Sequence, residues 1–226
     1  VQTLNIHFSG TDIKEVNITF QSINDSGIVT ANKDLTFNIT GNIQLTNVPD
    51  HPTPVISITG PNSYIQMNTR DPSCITNIDL CTTGFTFALD VSFANLSDYT
   101  FILSSGGQLS NHIGISFYYN NNTLTYIVSS STLTWKLVVH YTPVLQQWQH
   151  FEITWNKHVG IELILNGQHM GSNGQPTPSM NSRTTFLCVG CSHGKNSVDL
   201  NFMVSGIRHW ASDRTHLVNA GGKDGQ

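Results

Sequence analysis

Glu152 and Glu162 are the two residues of this chain whose type and spacing best suit acid–base work. Cleaving a glycosidic bond takes two carboxylates, about 5–5.5 Å apart for retention and about 6.5–9.5 Å for inversion. If two strands pair Thr154 with Glu162, both carboxylates share one polar face as diagonal neighbours, roughly 7–8 Å apart by backbone. The spacing permits the chemistry. Two solvated glutamates on an outer sheet face fit it equally, and that plainer reading is the one carried forward.

Metal chemistry finds less support. Hard cations such as Ca²⁺ want six to eight oxygens, mostly carboxylates. Asp90, Asp98, Asp199 and Asp213 are scattered singly, and no Asp-x-Asp or Glu-x-Asp occurs. The pattern leaves room for a single shallow calcium site of one carboxylate plus backbone carbonyls, and the expectation is no resident cofactor. None of the ten histidines shows His-x-His or His-x-x-x-His spacing, and Cys188-x-x-Cys191 has no second pair of its kind. Zinc is therefore not expected. His150, beside Phe151, reads as a hydrogen-bonded structural histidine, and the other histidines read as surface groups.

Four cysteines, Cys74, Cys81, Cys188 and Cys191, allow three pairings. In an unbroken strand Cys188 and Cys191 would lie about 10 Å apart on opposite faces, beyond the ~7 Å a disulfide spans. A bridge there requires Gly190 to turn or bulge the chain. A redox role for this Cys-x-x-Cys lacks the βαβ context of thioredoxin-type sites. Five Asn-x-Ser/Thr acceptors stand at Asn17, Asn24, Asn38, Asn95 and Asn121. With an even cysteine count they imply an extracellular setting, a secreted chain or a cell-surface ectodomain. The chain begins at Val1 without Met or signal peptide, which reads as a processed or excised segment.

Composition narrows the classes further. Over 226 residues, 38% are hydrophobic and only 11% charged, so Ser, Thr and Asn must cover much of the surface. A net charge of −4 gives no basic footprint, so nucleic acid is excluded as a natural partner. No apolar run approaches the ~20 residues of a membrane-spanning helix, so no direct membrane insertion of this segment is expected.

The elements that must position these residues are strands. Phe151, Ile153 and Trp155 alternate with Glu152 and Thr154, and Ile161, Leu163 and Leu165 alternate with Glu162 and Asn166. Period-two alternation predicts two half-buried strands. Asn156 to Gly160 reverses the chain between them, and Asn166-Gly167 predicts a type I′ hairpin into a third. Phe85, Phe87, Leu89, Val91 and Phe93 mark a central core strand. Trp155 belongs to the core in this reading, covered by a cross-strand neighbour such as Ile161. Further strands are expected at 55–58, 64–67, 100–103, 113–119, 124–128, 133–139, 186–189, 200–204 and 207–210. Asn120-Asn121-Asn122 forms a hairpin tip. Residues 171–181 read as a long surface loop, and Tyr118, Tyr119 and Tyr126 as a candidate contact patch. Short alternating runs fill residues 1–50, and 50–54 is a loop within one domain. No long helix or internal repeat is visible. About a dozen short strands mean a sandwich or barrel.

The order of these blocks resembles the laminin-G-like and pentraxin-like group, as found in metazoan receptor ectodomains including some adhesion G-protein-coupled receptors. The matching pieces are Ser73-Cys74…Cys81, Gly84-Phe85-Thr86, Ser104-Ser105-Gly106-Gly107 and the Trp135 strand. They continue with Trp148-x-His150-Phe151-x-x-Thr154-Trp155, Gly160-x-x-Leu163-x-Leu165-Asn166-Gly167 and a strand ending in Trp210. The resemblance covers about residues 56–217. It implies an all-β, antiparallel, concanavalin-A-type jelly-roll β-sandwich over residues 1–220, followed by a flexible tail at 221–226. Proximity and resemblance both pair Cys74 with Cys81, and the crossed pairings with Cys188 or Cys191 stay open. The Glu-x-Asp-x-x-Glu strand of jelly-roll glycosidases and the acidic loops of pentraxins are missing. The resemblance therefore implies a non-catalytic recognition or adhesion module for an extracellular protein or glycan, ahead of a calcium-dependent lectin and of a glycoside-active enzyme.

Overall fold

The computed structural model describes residues 6–7, 15–18, 28–32, 35–49, 54–69, 74, 76–193 and 199–210. The tail at 221–226, Asn24 and Asp213 lie outside the described residues. The strands are β1 (Ile6–His7), β2 (Glu15–Ile18), β3 (Ile28–Asn32), β4 (Leu35–Thr46), β5 (Val55–Thr69), β6 (Phe85–Phe93), β7 (Thr100–Ser104) and β8 (Gly114–Asn120). They continue with β9 (Thr123–Ser129), β10 (Leu133–His140), β11 (Trp148–Asn156), β12 (Gly160–Leu165), β13 (Gln168–Asn173), β14 (Thr177–Pro178), β15 (Leu187–Val189) and β16 (Leu200–Trp210). Every ladder between them is antiparallel.

One hydrogen-bonded path, β13-β12-β11-β6-β16-β5-β15-β7-β8-β9-β10-β14, folds back on itself. β5 joins the two layers, pairing with β16 through Ile56–Gly60 and with β15 through Ile65–Met67. Aromatic contacts show the layers meeting: Phe117 lies 5.4 Å from Phe151, and Trp135 lies 5.5 Å from Trp155. This is the jelly-roll sandwich, and it forms because the central strands β6, β8, β10, β11 and β12 are apolar on alternate residues.

β6 is the centre of one layer. Phe85, Phe87, Leu89, Val91 and Phe93 are all buried, and β11 and β16 flank it. In β11, Phe151, Ile153 and Trp155 face the same interior, and Trp155 pairs with Ile161 as the alternation predicts. Asn166 and Gly167 both adopt positive φ, 51° and 76°, the conformation a type I′ turn demands.

Several expected short strands prove continuous. Residues 35–46, 55–69 and 200–210 each form one strand, with register shifts between Thr40 and Asn42 and between Ser205 and Ile207. At Gly206 a one-residue bulge bends β16 without ending its ladder, whereas opposite Gly41 the β5 partner jumps from Tyr64 to Thr59, so residues 60–63 turn out of the ladder. The predicted loop at 171–181 contains the end of β13 and the short β14, which pairs with β10. The tyrosine patch does not form. Tyr119 and Tyr126 point inward with Phe117 and are buried, whereas Tyr118 alone of the three is half-buried, stacked on Phe101 at 4.7 Å.

His209 also departs from expectation. It is buried on β16 between Phe85 and Phe87, with its ring 4.6 Å from that of Phe87. Among the described residues neither ring nitrogen finds a hydrogen-bond partner, and burial pushes its pKa down to about 4. The sequence placed histidines outside, but β16 alternation puts position 209 on the same face as Ile207.

Two outcomes follow from this core. Trp155→Ala should cost about 3–5 kcal/mol, a large part of the ~5–15 kcal/mol a domain usually has. Chemical denaturation reads this directly, and Glu152→Gln on the opposite face, which removes a half-buried ion pair worth about 1 kcal/mol or less, should shift the midpoint far less. The neutral form of His209 is the folded one, so its contribution is complete above pH 6.5 and lost as pH falls from 6.5 towards about 4. The full shift is worth about 3 kcal/mol. His209→Leu should flatten that part of the stability–pH curve, and an unchanged curve would remove His209 as its cause.

Candidate functional site

The outward face of β6, β11 and β12 carries a row of ionisable side chains. It follows from register: β11 places Phe151, Ile153 and Trp155 inward, so His150, Glu152 and Thr154 must face out. Asp90 stands opposite His150, Thr154 opposite Glu162, and Ile164 opposite His169. Thr86, Ala88, Thr154, Ile164 and Ser205 share this face and are buried, so taller charged side chains stand over a floor of shorter, uncharged ones. Half-buried Trp148 continues the face at the start of β11.

His150 is the pivot of the row. Its Nδ1–H donates to Asp90 Oδ1 at 2.7 Å and its Nε2–H to Glu152 Oε1 at 3.2 Å. These two bonds hold its pKa up at about 9, against a smaller opposing effect of burial. The imidazole is therefore a cation at neutral pH, bound on both sides by carboxylates. Its backbone is clamped by the hairpin residue Asn166: His150 N–H donates to Asn166 Oδ1 and Asn166 N–H to His150 O, both at 2.8 Å. Beyond it, Glu162 Oε1 lies 3.4 Å from His169 Nε2. Each of the two glutamates that the sequence singled out has a histidine partner.

The cysteines pair as Cys74–Cys81 and Cys188–Cys191, with Cα atoms 4.9 Å and 5.8 Å apart. Gly190, at φ +88°, is the turn that the second bridge requires, and a side chain there would press against Ser63 O at 3.0 Å. His193 packs beside this bridge against Phe186, and burial lowers its pKa, opposed by hydrogen bonding to Ser104 O.

Of the acceptor asparagines, Asn38, Asn95 and Asn121 are exposed, and Asn17 lies on β2 at the position paired with Arg208. Asn121 and Asn122 form the β8–β9 tip with φ 46° and 56°, and Asp98 Oδ1 accepts the Asn121 N–H at 2.7 Å. Of the remaining aspartates weighed for calcium, Asp90 is bound to His150 and Asp199 is exposed. Among the described residues, the one grouping of three or more metal-type donors is Cys188, Cys191 and His193. Among the described residues no helix is long and apolar enough to cross a membrane.

Known proteins agree with this architecture. The sequence profile of a laminin G type, described as the concanavalin A-like lectin/glucanases superfamily, matches residues 60–216. No curated protein matches the sequence. Among solved structures, the binding domain of botulinum neurotoxin DC in complex with SialylT superposes with a TM-score of 0.59 at 14% identity, covering 85% of this chain and 48% of that one. The same domain in complex with rat synaptotagmin II gives 0.57 at 13%, covering 81% and 46%. The botulinum neurotoxin serotype D binding domain gives 0.62 at 12%, covering 90% and 48%. This chain thus spans about half the length of the binding domains it matches.

The His150 pivot has a pH signature. Because its folded pKa is raised, its stabilisation is fully present below pH 6.5 and lost as pH rises through about 9. An NMR titration of the histidine ring protons should find His150 protonated well above neutral, and Asp90→Asn should bring its midpoint down towards 6.5. A wild-type midpoint near 6.5 would mean the two carboxylate bonds are absent in solution.

Proposed function

The chain belongs to the laminin G type of the concanavalin A-like lectin/glucanases superfamily, and from that premise we propose that it is an extracellular, non-catalytic recognition module whose ligand is a protein or a glycan. The observation that carries this reading is the pairing of every carboxylate in the outward row with a histidine: Asp90 and Glu152 with His150, and Glu162 with His169. A glycosidase needs one carboxyl held protonated by an apolar site. Here both glutamates lie against imidazoles, which organises them as fixed hydrogen-bond acceptors. A row of oriented polar groups over shorter, uncharged side chains, with Trp148 at its end, offers hydrogen bonds and an apolar surface together. Glycan hydroxyls and protein loops both use that combination.

The relatives support the same class. The botulinum neurotoxin DC binding domain was solved in complex with SialylT and in complex with rat synaptotagmin II. Two disulfides and five acceptor asparagines support an oxidising, secretory setting. The reading treats residues 1–220 as one domain and takes no resident metal or nucleic acid partner.

The test is binding of the secreted chain to glycan and ectodomain arrays. A specific ligand should survive chelation, and Glu162→Gln with His169→Ala should weaken it by about tenfold or more while leaving the melting temperature within a few degrees. The same preparation should lose mass on N-glycosidase treatment. Turnover of a β-glucan that disappears in Glu152→Gln would overturn the non-catalytic reading, and chelator-sensitive binding would replace it with a metal-dependent lectin.

A further inference from the structure

The Cys188–Cys191 pair carries more than a covalent tie. We propose that Cys188, Cys191 and His193, once their disulfide is reduced, form a binding site for a borderline-soft divalent cation, with Zn²⁺ as the best fit. The incomplete spacing that argued against zinc in the sequence is completed two residues on, because the motif reads Cys-x-x-Cys-x-His.

Geometry supports the site. The two sulfurs and a nitrogen of His193 lie within 4.8 Å of one another. With Zn–S of ~2.3 Å and Zn–N of ~2.05 Å, a tetrahedral ion sets sulfur and nitrogen about 3.5 Å apart. Cys188 Sγ and His193 Nε2 stand 3.4 Å apart. The sulfurs need only separate to about 3.7 Å, the corresponding tetrahedral edge.

The donors are held independently of the S–S bond. Cys188 lies on β15, hydrogen-bonded between β5 and β7. The segment carrying Cys191 and His193 is tied back by Gln108 Nε2, which donates to Ser192 O at 2.8 Å. The His193 ring rests on Phe186, 4.5 Å away, with Nδ1 3.3 Å from Thr185 Oγ1. Thr185 is the partner that orients a metal-bound imidazole through its far nitrogen. His112 lies within electrostatic range of His193, and its own Nδ1 is bonded to Ser110 O at 2.8 Å.

A dithiol reductant breaks the Cys188–Cys191 bond, delivers two electrons and two protons to the sulfurs, and closes its own disulfide. The ion then displaces both thiol protons. His193 coordinates through Nε2 as the neutral tautomer, with Nδ1–H donating to Thr185 Oγ1 in place of the present bond from Nε2–H to Ser104 O at 3.1 Å. In an oxidising compartment the site is closed as a disulfide, and it opens where thiols are reduced.

The experiment titrates Co²⁺ into the full chain after dithiol reduction and anaerobic removal of the reductant. One equivalent should bind with a thiolate-to-cobalt charge-transfer band and intense tetrahedral d–d bands, and one equivalent of Zn²⁺ should bleach them. The oxidised chain should bind none. His193→Ala should weaken binding by about tenfold or more, and the milder Thr185→Val, chosen to preserve the fold, by severalfold. Circular dichroism confirms that each variant remains folded. Absence of the charge-transfer band in the reduced, folded chain would overturn the proposal. So would full binding in the Cys188→Ser/Cys191→Ser chain, which would place the thiolates at Cys74 and Cys81.

Discussion

The register that locks β11 between β6 and β12 is the constraint on which the rest of this structure depends. Ile153 sits opposite both Phe87 and Leu163, and Phe151 opposite both Leu89 and Leu165. Side chains alternate with a period of two, so a slip of one residue would exchange the two faces. Phe151, Ile153 and Trp155 would move into water and His150, Glu152 and Thr154 into the core. The cost of exposing three large apolar groups and burying two charged ones exceeds what a domain of this size has in reserve. The core and the polar row are therefore one decision made twice, once for each face of the same strand.

Electrostatics then does its work on a surface with few charges. Only 11% of the chain is Asp, Glu, Lys or Arg, yet Asp90, Glu152 and Glu162 gather on one sheet face. Left unpaired, neighbouring carboxylates on adjacent strands would repel. Histidines resolve this, with His150 between two of the carboxylates and His169 beside the third. The result is a face rich in fixed acceptors, anchored where Asn166 closes the hairpin on the His150 backbone. Such an arrangement suits selection of a ligand by shape and hydrogen bonding, and it supports recognition over hydrolysis as the proposed role.

Local patterns in the sequence were readable because their causes are local. The alternation in β11 and β12, the Asn166-Gly167 turn and the inward Trp155 all come from period two and positive φ, and the pairing of Thr154 with Glu162 follows from them. The order of the Trp and Gly blocks carried the fold. What stayed hidden depends on distant partners. Asp90 and His150 are 60 residues apart, and nothing near either one announces the other. His209 is buried because β16 lies against β6, and Tyr119 and Tyr126 turn inward because β8 and β9 pair in one of two registers. His193 was passed over because the third donor follows Cys191 at a spacing the common zinc patterns do not use.

Amide chemical-shift mapping of the isotope-labelled chain, titrated with the glycan or protein ligand it selects, locates the binding surface residue by residue. Recognition by the outward row of β6, β11, β12 and β13 predicts that the largest shifts cluster at Ala88, Asp90, His150, Glu152, Glu162 and His169. Shifts confined to the rim loops around Asn95, Asn121 and Leu145, with the sheet face silent, would contradict it.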